Sequence, residues 1–284
     1  MTHTRTFGST GRQVAVVGQG TWRSDEASLP QVVAGLRRGL DLGMTHIDTA
    51  EMYGSGGAAE KVVGDAIQGR RDEVFLVSKV LPSNASQRGT VAACEQTLAR
   101  LRTDRLDCYL LHWRGRYPLQ ETIAAFERLV QDGKILSWGV SNFDVADLDE
   151  VHAIAGAGHP ACNQVLYHLQ ERAIEHAVLP WCSERGTAVV AYTPFGEQPR
   201  LFDSGSTQGK PLHDIAAVHG ATARQVALAF LLRHADSFVI PKASSAVHVA
   251  ENAGAAALEL TAEDIARIDA AFPRGKPRRG LPMI

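Results

Sequence analysis

The chain has 284 residues, of which 45% are hydrophobic and 21% charged, and its formal net charge is -2. That near-neutral balance suits a soluble globular protein and offers no electrostatic ground for binding nucleic acid or a membrane surface. No apolar run is long enough to span a bilayer, the first residues lack a secretory leader's apolar stretch, and Cys94, Cys108, Cys162 and Cys182 form no Cys-x-x-Cys pair, so reduced thiols in a cytoplasmic protein are expected.

In chain order, residues 8–14 predict a small hairpin and 15–18 a first short strand. Residues 29–42 carry Val32, Val33, Leu36 and Leu40 at helical spacing. Strands are then predicted at 46–48, 75–79, 106–112, 135–140, 163–166, 188–192 and 238–240. Helical patterns alternate with them at 60–68, 86–101, 119–131, 145–154, 177–184 and 222–234. Thr261 through Asp264 cap a last helix that runs to about residue 272. Such alternation implies parallel strands joined by right-handed crossovers. Eight units in one chain without a linker predict a single (β/α)8 barrel over residues 1–284; an open doubly wound sheet is the competing arrangement. The irregular stretch 196–210 reads as a lid or binding loop.

In a parallel barrel, chemistry sits where strands end at the C-terminal rim. Three predicted strand ends are polar: Asp48, Lys79 and His112, with the phenol of Tyr53 one short turn after Asp48. A carboxylate beside a phenol only holds it protonated; a lysine joining them makes the phenol a usable acid. The bland reading of Lys79 is a buried cation paired with Asp48, which is compatible with the chemical one. Residues 54–59 fit a Gly-x-Gly-x-x-Ala fingerprint, but they stand away from their strand and read better as a turn into a helix. A metal site on His46, Asp48 and His112 would belong to a hydrolase, but no further histidine pair has ligand spacing and Lys79 would repel the cation.

The segments Asp48-Thr49-Ala50-Glu51-Met52-Tyr53-Gly54, Ser78-Lys79-Val80, Leu110-Leu111-His112-Trp113, Gly139-Val140-Ser141-Asn142-Phe143, Asn163-Gln164-Val165 and Ile240-Pro241-Lys242 together resemble the aldo-keto reductase signatures, in the family's order. The likeness is nearer to bacterial members that reduce methylglyoxal and related aldehydes. The resemblance implies a (β/α)8 barrel that binds NADPH across its strand ends and acts on a small carbonyl compound, as a monomer. It implies Tyr53 as general acid, Asp48 and Lys79 as its supporting ion pair, and His112 as an orienting or relay group. Ser141, Asn142 and Gln164 are implied for the nicotinamide carboxamide, Tyr192 for stacking on its ring, and Thr193, Pro194 and Phe195 for the pyrophosphate turn. Thr21 and Trp22 line the cofactor cleft, and Trp22 and Trp113 wall the substrate pocket. Some relatives of this kind are cofactor-sensing regulatory subunits, which is the alternative to an enzyme.

Carbonyl reduction needs a hydride that no side chain supplies, so a cofactor is required. The growing alkoxide needs a proton, and Lys79 beside Tyr53 is expected to lower the phenol pKa. Lys242, Ser245, His248, Glu251 and Asn252 match the segment that grips the adenosine 2′-phosphate and adenine. Ala243 and His248 depart from the common Ser and Arg, so NADPH is expected to be preferred by a reduced margin, with NADH accepted more weakly. Little chain follows residue 273, which predicts an open, aromatic-walled site of broad aldehyde range.

Overall fold

The computed structural model describes residues 3–24, 28–203, 205–278 and 280–284. A two-stranded antiparallel hairpin, β1 (Thr4–Thr6) with β2 (Gln13–Ala15), precedes the barrel and pairs Thr6 with Gln13. The predicted first strand, residues 15–18, is split: Ala15 belongs to the hairpin, Val16 O accepts from Val239 N at 2.9 Å and Val17 bridges Val239 in parallel, and the barrel strand proper is β3 (Gln19–Gly20). An apolar run cannot by itself say which residues pair with which neighbour.

The barrel continues through β4 (His46–Asp48), β5 (Phe75–Val80), β6 (Cys108–Leu111), β7 (Trp138–Ser141), β8 (Cys162–Leu166), β9 (Ala188–Tyr192) and β10 (Ser237–Val239), all parallel and each bonded to the next. All six residues of β5 are buried, as expected of a strand covered on both faces. Closure comes from Gly18 N–H donating to Val239 O at 2.8 Å and Gly20 N–H donating to Pro241 O at 3.2 Å. The seam requires a residue without a side chain, because a Cβ on Gly20 would meet Ile240 O at 2.6 Å.

Crossover helices ring the barrel: α1 (Leu29–Asp41), α2 (Ala58–Ile67), α3 (Gln87–Leu101), α4 (Leu119–Gln131), α5 (Val145–Ala155), α6 (Val178–Arg185), α7 (Lys210–His219), α8 (Ala223–Leu231), α9 (Ala246–Gly254) and α10 (Ala262–Ala271). On α1, Val32, Leu36 and Leu40 of the predicted stripe are buried, and Val33 is half-buried at its edge. Gly54, Gly56 and Gly57 all have positive φ and lead into α2, so the glycine cluster is the anticipated turn. The helix α10 carries the Thr261/Asp264 capping box. Two helices, α7 and α9, were not anticipated. The irregular stretch read as 196–210 ends where α7 begins, and Pro211 in its first turn suits that position. No helix is long and apolar enough to cross a membrane among the described residues.

The hairpin closes the N-terminal mouth. Phe7 is fully buried against the rings of His46, Phe75 and Phe238. The opposite mouth stays open and receives the ends of the strands.

Candidate active site

Parallel register lifts the predicted side chains to one rim. Asp48 lies opposite Val77, so Lys79 stands two residues further up β5 and faces back over Asp48. Lys79 Nζ donates to Asp48 Oδ1 at 2.6 Å, to Thr49 O at 2.9 Å and to the Tyr53 hydroxyl at 3.2 Å. Gln164 Nε2 donates to Asp48 Oδ2 at 2.8 Å, so both carboxylate oxygens are engaged. The Tyr53 ring meets the His112 ring edge-on at 5.7 Å, and Trp113 packs on His112 at 4.9 Å. The four polar residues singled out from separate strand ends thus converge.

Their electrostatics follow from burial and from one cation. Burial opposes the Lys79 charge, but Asp48 and Tyr53 together hold its pKa above the ordinary lysine value, so it stays charged. Burial pushes Asp48 upward against the pull of Lys79 and Gln164. Tyr53 departs from the sequence expectation: burial raises its pKa, and the opposing pull of Lys79 does not cancel that rise. The sequence argument weighed the cation without the loss of water around the phenol. His112 is neutral, its pKa lowered to about 2 by burial first and by Lys79 second. Its Nδ1 is buried without a hydrogen-bond partner among the described residues.

A second layer holds the Tyr53 turn and was missed from sequence. Glu51 accepts from Leu81 N and, at 3.1 Å, from Asn84 Nδ2. Glu60, fully buried, accepts from Ser78 Oγ at 2.7 Å and pairs with Arg100 at 2.5 Å. Both acids lie within or just after the motif that carries Tyr53, which was the available signal.

Beside this cluster, Ser141 Oγ donates to Gln164 O at 2.8 Å, and Asn142 Nδ2 donates to His112 O at 3.2 Å and Ser141 Oγ at 3.1 Å. The Tyr192 hydroxyl donates to Asn142 Oδ1 at 2.9 Å. The trio implied for a carboxamide is therefore brought together with Tyr192, its polar atoms engaged with one another and with Asp48. Asn142 and Thr193 both have positive φ, +61° and +49°. Asparagine tolerates that region, whereas a β-branched threonine there is strained, a feature common at binding sites. Thr21 is buried and its hydroxyl donates to Asp48 O at 2.9 Å.

Three cavities lie along the rim. One, of about 250 Å3, is walled by Trp22, Met52, Trp113 and Tyr192, with Tyr53 and His112 at its base. The next, of about 330 Å3, runs past Thr21, Arg23, Thr193, Pro194 and Phe195 to Lys242. The third, of about 190 Å3, begins at Phe195 and Lys242 and ends at His248, Glu251 and Asn252. Shared lining residues (Trp22, Tyr53 and Tyr192; Phe195 and Lys242) join them into one continuous groove. Ser245 is not part of the lining; its hydroxyl caps α9, while Ala243 and Ser244 face the cavity. The expectation of an open pocket also changes, because Met283 and Ile284 form part of the wall of the cavity that holds Tyr53 and His112. No pattern in the sequence marks those two residues.

A parallel (β/α)8 barrel with an acid, a lysine, a phenol and an imidazole gathered at its open rim defines a carbonyl-reducing oxidoreductase. The chain belongs to the aldo/keto reductase family, whose profile matches residues 16–272. It is 47% identical over 270 residues to the methylglyoxal reductase YeaE of Escherichia coli, covering 94% of each chain. It is 33% identical to the glyoxal reductase of Bacillus subtilis over 92% of this chain and 90% of that one. Two solved aldo-keto reductase structures from Klebsiella pneumoniae cover each chain completely. The one complexed with NADPH is 46% identical with a TM-score of 0.93, and the one with NADP and acetate is 44% identical with a TM-score of 0.92. Among the described residues no group of three or more His, Cys, Asp or Glu could hold a metal ion.

Proposed function

We propose that the chain reduces small aldehydes with NADPH, favouring α-oxoaldehydes such as methylglyoxal. The observation that carries this reading is the Tyr53 hydroxyl, 3.2 Å from Lys79 Nζ and lining both the cavity before His112 and Trp113 and the cavity that leads to Lys242. The names and ligands of the relatives support it. In this reading the cofactor lies along the groove with Tyr192, Ser141, Asn142 and Gln164 at its nicotinamide end. Thr21, Trp22, Thr193, Pro194 and Phe195 flank its middle, and Lys242, His248, Glu251 and Asn252 mark its adenosine end. When bound it supplies the hydride.

The side chains manage the charge that hydride transfer creates. A phenol whose pKa is raised by burial is fully protonated at neutral pH, so Tyr53 begins each turnover with a proton to give. As oxygen of the substrate carbonyl becomes an alkoxide, Tyr53 passes it that proton, and the phenolate left behind is held by Lys79. Asp48 keeps the ammonium aimed at the phenol, and this fixed cation stabilises negative charge without reorganisation. Neutral His112, its pKa lowered by burial and by Lys79, orients the carbonyl as a hydrogen-bond donor. Trp22 and Trp113 provide a shape-tolerant wall that distinguishes aldehydes weakly. The enzyme works as a monomer in the cytoplasm, where its four buried thiols stay reduced.

The test is loss of NADPH absorbance with purified protein against methylglyoxal, glyoxal, and small aliphatic and aromatic aldehydes. Turnover of methylglyoxal with NADPH at a kcat/KM above that of simple aldehydes is expected. A strict preference for one sugar or steroid would overturn the substrate assignment.

A further inference from the structure

The adenosine end of the groove contains a residue that no motif pointed to. Arg224, in the first turn of α8, is half-buried and lines the same cavity as Lys242, His248 and Glu251. Its guanidinium lies 4.8 Å from the ring centre of Phe195 and 4.7 Å from that of Phe202. Among the described residues it makes no hydrogen bond or ion pair. The two rings stand at 86° to each other and hold the cation between them without accepting its N–H groups in ordinary hydrogen bonds, so its donors remain available for a phosphate, which a guanidinium can take with two parallel bonds.

The other charges of the cavity are differently disposed. Glu251 accepts from Thr222 Oγ1 at 2.7 Å, and its second oxygen lies 3.2 Å from His248 Nδ1. The histidine that stands at the expected arginine position is therefore turned toward a carboxylate. Lys242 also lines the cavity, on the segment after β10. A dianion placed between Lys242 and Arg224 meets two cations, one of them permanently charged, while the one nearby carboxylate is already occupied by Thr222 and His248.

We propose that Arg224 is the residue that recognises the 2′-phosphate of NADPH in this chain, in place of the arginine that His248 replaces. The inference rests on the groove being the NADP(H) site. A permanent cation on α8 gives a strong preference for NADPH that is insensitive to pH near neutrality, where a histidine would give a weak and pH-dependent one.

The experiment compares fluorescence titrations of the full chain with NADPH and NADH, and repeats them with 2′,5′-ADP and 5′-AMP as competitors. Arg224→Gln is expected to weaken NADPH and 2′,5′-ADP by about 10- to 100-fold while NADH and 5′-AMP change by less than about twofold. Arg224→Lys should recover most of the NADPH affinity, which a purely structural role on the two phenylalanines would not require. His248→Ala should leave NADPH within about threefold. Equal losses for both cofactors in Arg224→Gln would overturn the inference in favour of adenine stacking. An unchanged NADPH affinity, or a larger phosphate-specific loss in His248→Ala, would overturn it as well. If the wild-type chain binds neither cofactor, the groove reading itself fails. If it binds NADPH and only Lys242→Met loses the phosphate preference, the groove reading stands and Arg224 alone is discounted.

Discussion

The two mouths of the barrel hold the same side chain in opposite circumstances. His46 opens β4 at the floor and His112 follows β6 at the rim; both are buried and both are neutral, with pKa values lowered to about 3 and about 2. In both cases burial is the main cause and Lys79 the second. Yet His46 is enclosed by Phe7, Phe75 and Phe238, with neither ring nitrogen bonded among the described residues, while His112 faces a cavity. Residue type and protonation state do not distinguish the two histidines. Access to the cavity that Tyr53 also lines does. The three-residue strand β4 makes the same point, since His46 at one end packs among rings and Asp48 at the other pairs with Lys79.

The comparison breaks most sharply at the rim. Tyr53→Phe should lower turnover by at least ~10²-fold under saturating NADPH and leave cofactor affinity within about twofold, because only the general acid is removed. Stopped-flow or steady-state assays of the purified variant check this, and near-normal turnover would refute the assignment. Lys79→Met should abolish activity and also destabilise the fold by ~3–5 kcal/mol in denaturant titration, since Asp48 is then left buried without its cation.

The floor should respond in the opposite way. His46→Leu is expected to keep kcat/KM within about twofold and to raise stability by ~1–2 kcal/mol, since two buried ring nitrogens without partners are removed. A large activity loss with retained stability would mean that the floor communicates with the chemistry. The same residue has a pH signature. Its folded pKa of about 3 lies below the ordinary 6.5, so the unfolded chain takes up a proton that the folded one refuses. Its contribution to stability is complete above pH 6.5 and is lost as pH falls towards 3. The slope is ~1.4 kcal/mol per pH unit for each such group. Unfolding free energies measured between those limits should show that slope reduced by one such group in His46→Leu.

The smallest effect is expected where the chain crosses the open mouth. Ile284→Ala removes apolar wall beside Trp22 and Tyr192 and should lower KM for bulky aromatic aldehydes by about 3- to 10-fold, with methylglyoxal little changed. Equal changes for small and bulky substrates would show that Ile284 does not shape the pocket.

The sequence by itself determined the alternation of strands and helices, the barrel, and the strand ends that carry Asp48, Lys79 and His112. Those features are written locally, in apolar runs that stop at a polar residue and in turns marked by glycine or a capping pair. The tertiary structure alone decided what depends on distant segments meeting. Barrel closure, through Gly18 and Gly20 against the strand after α8, made Gln19–Gly20 the strand β3 and left Ala15 to the hairpin. Desolvation by surrounding elements reversed the expected direction of the Tyr53 shift, since loss of water is a property of packing. The approach of α8 to the segment after β10 put Arg224 beside Lys242, eighteen positions away in the chain and unmarked by any local pattern.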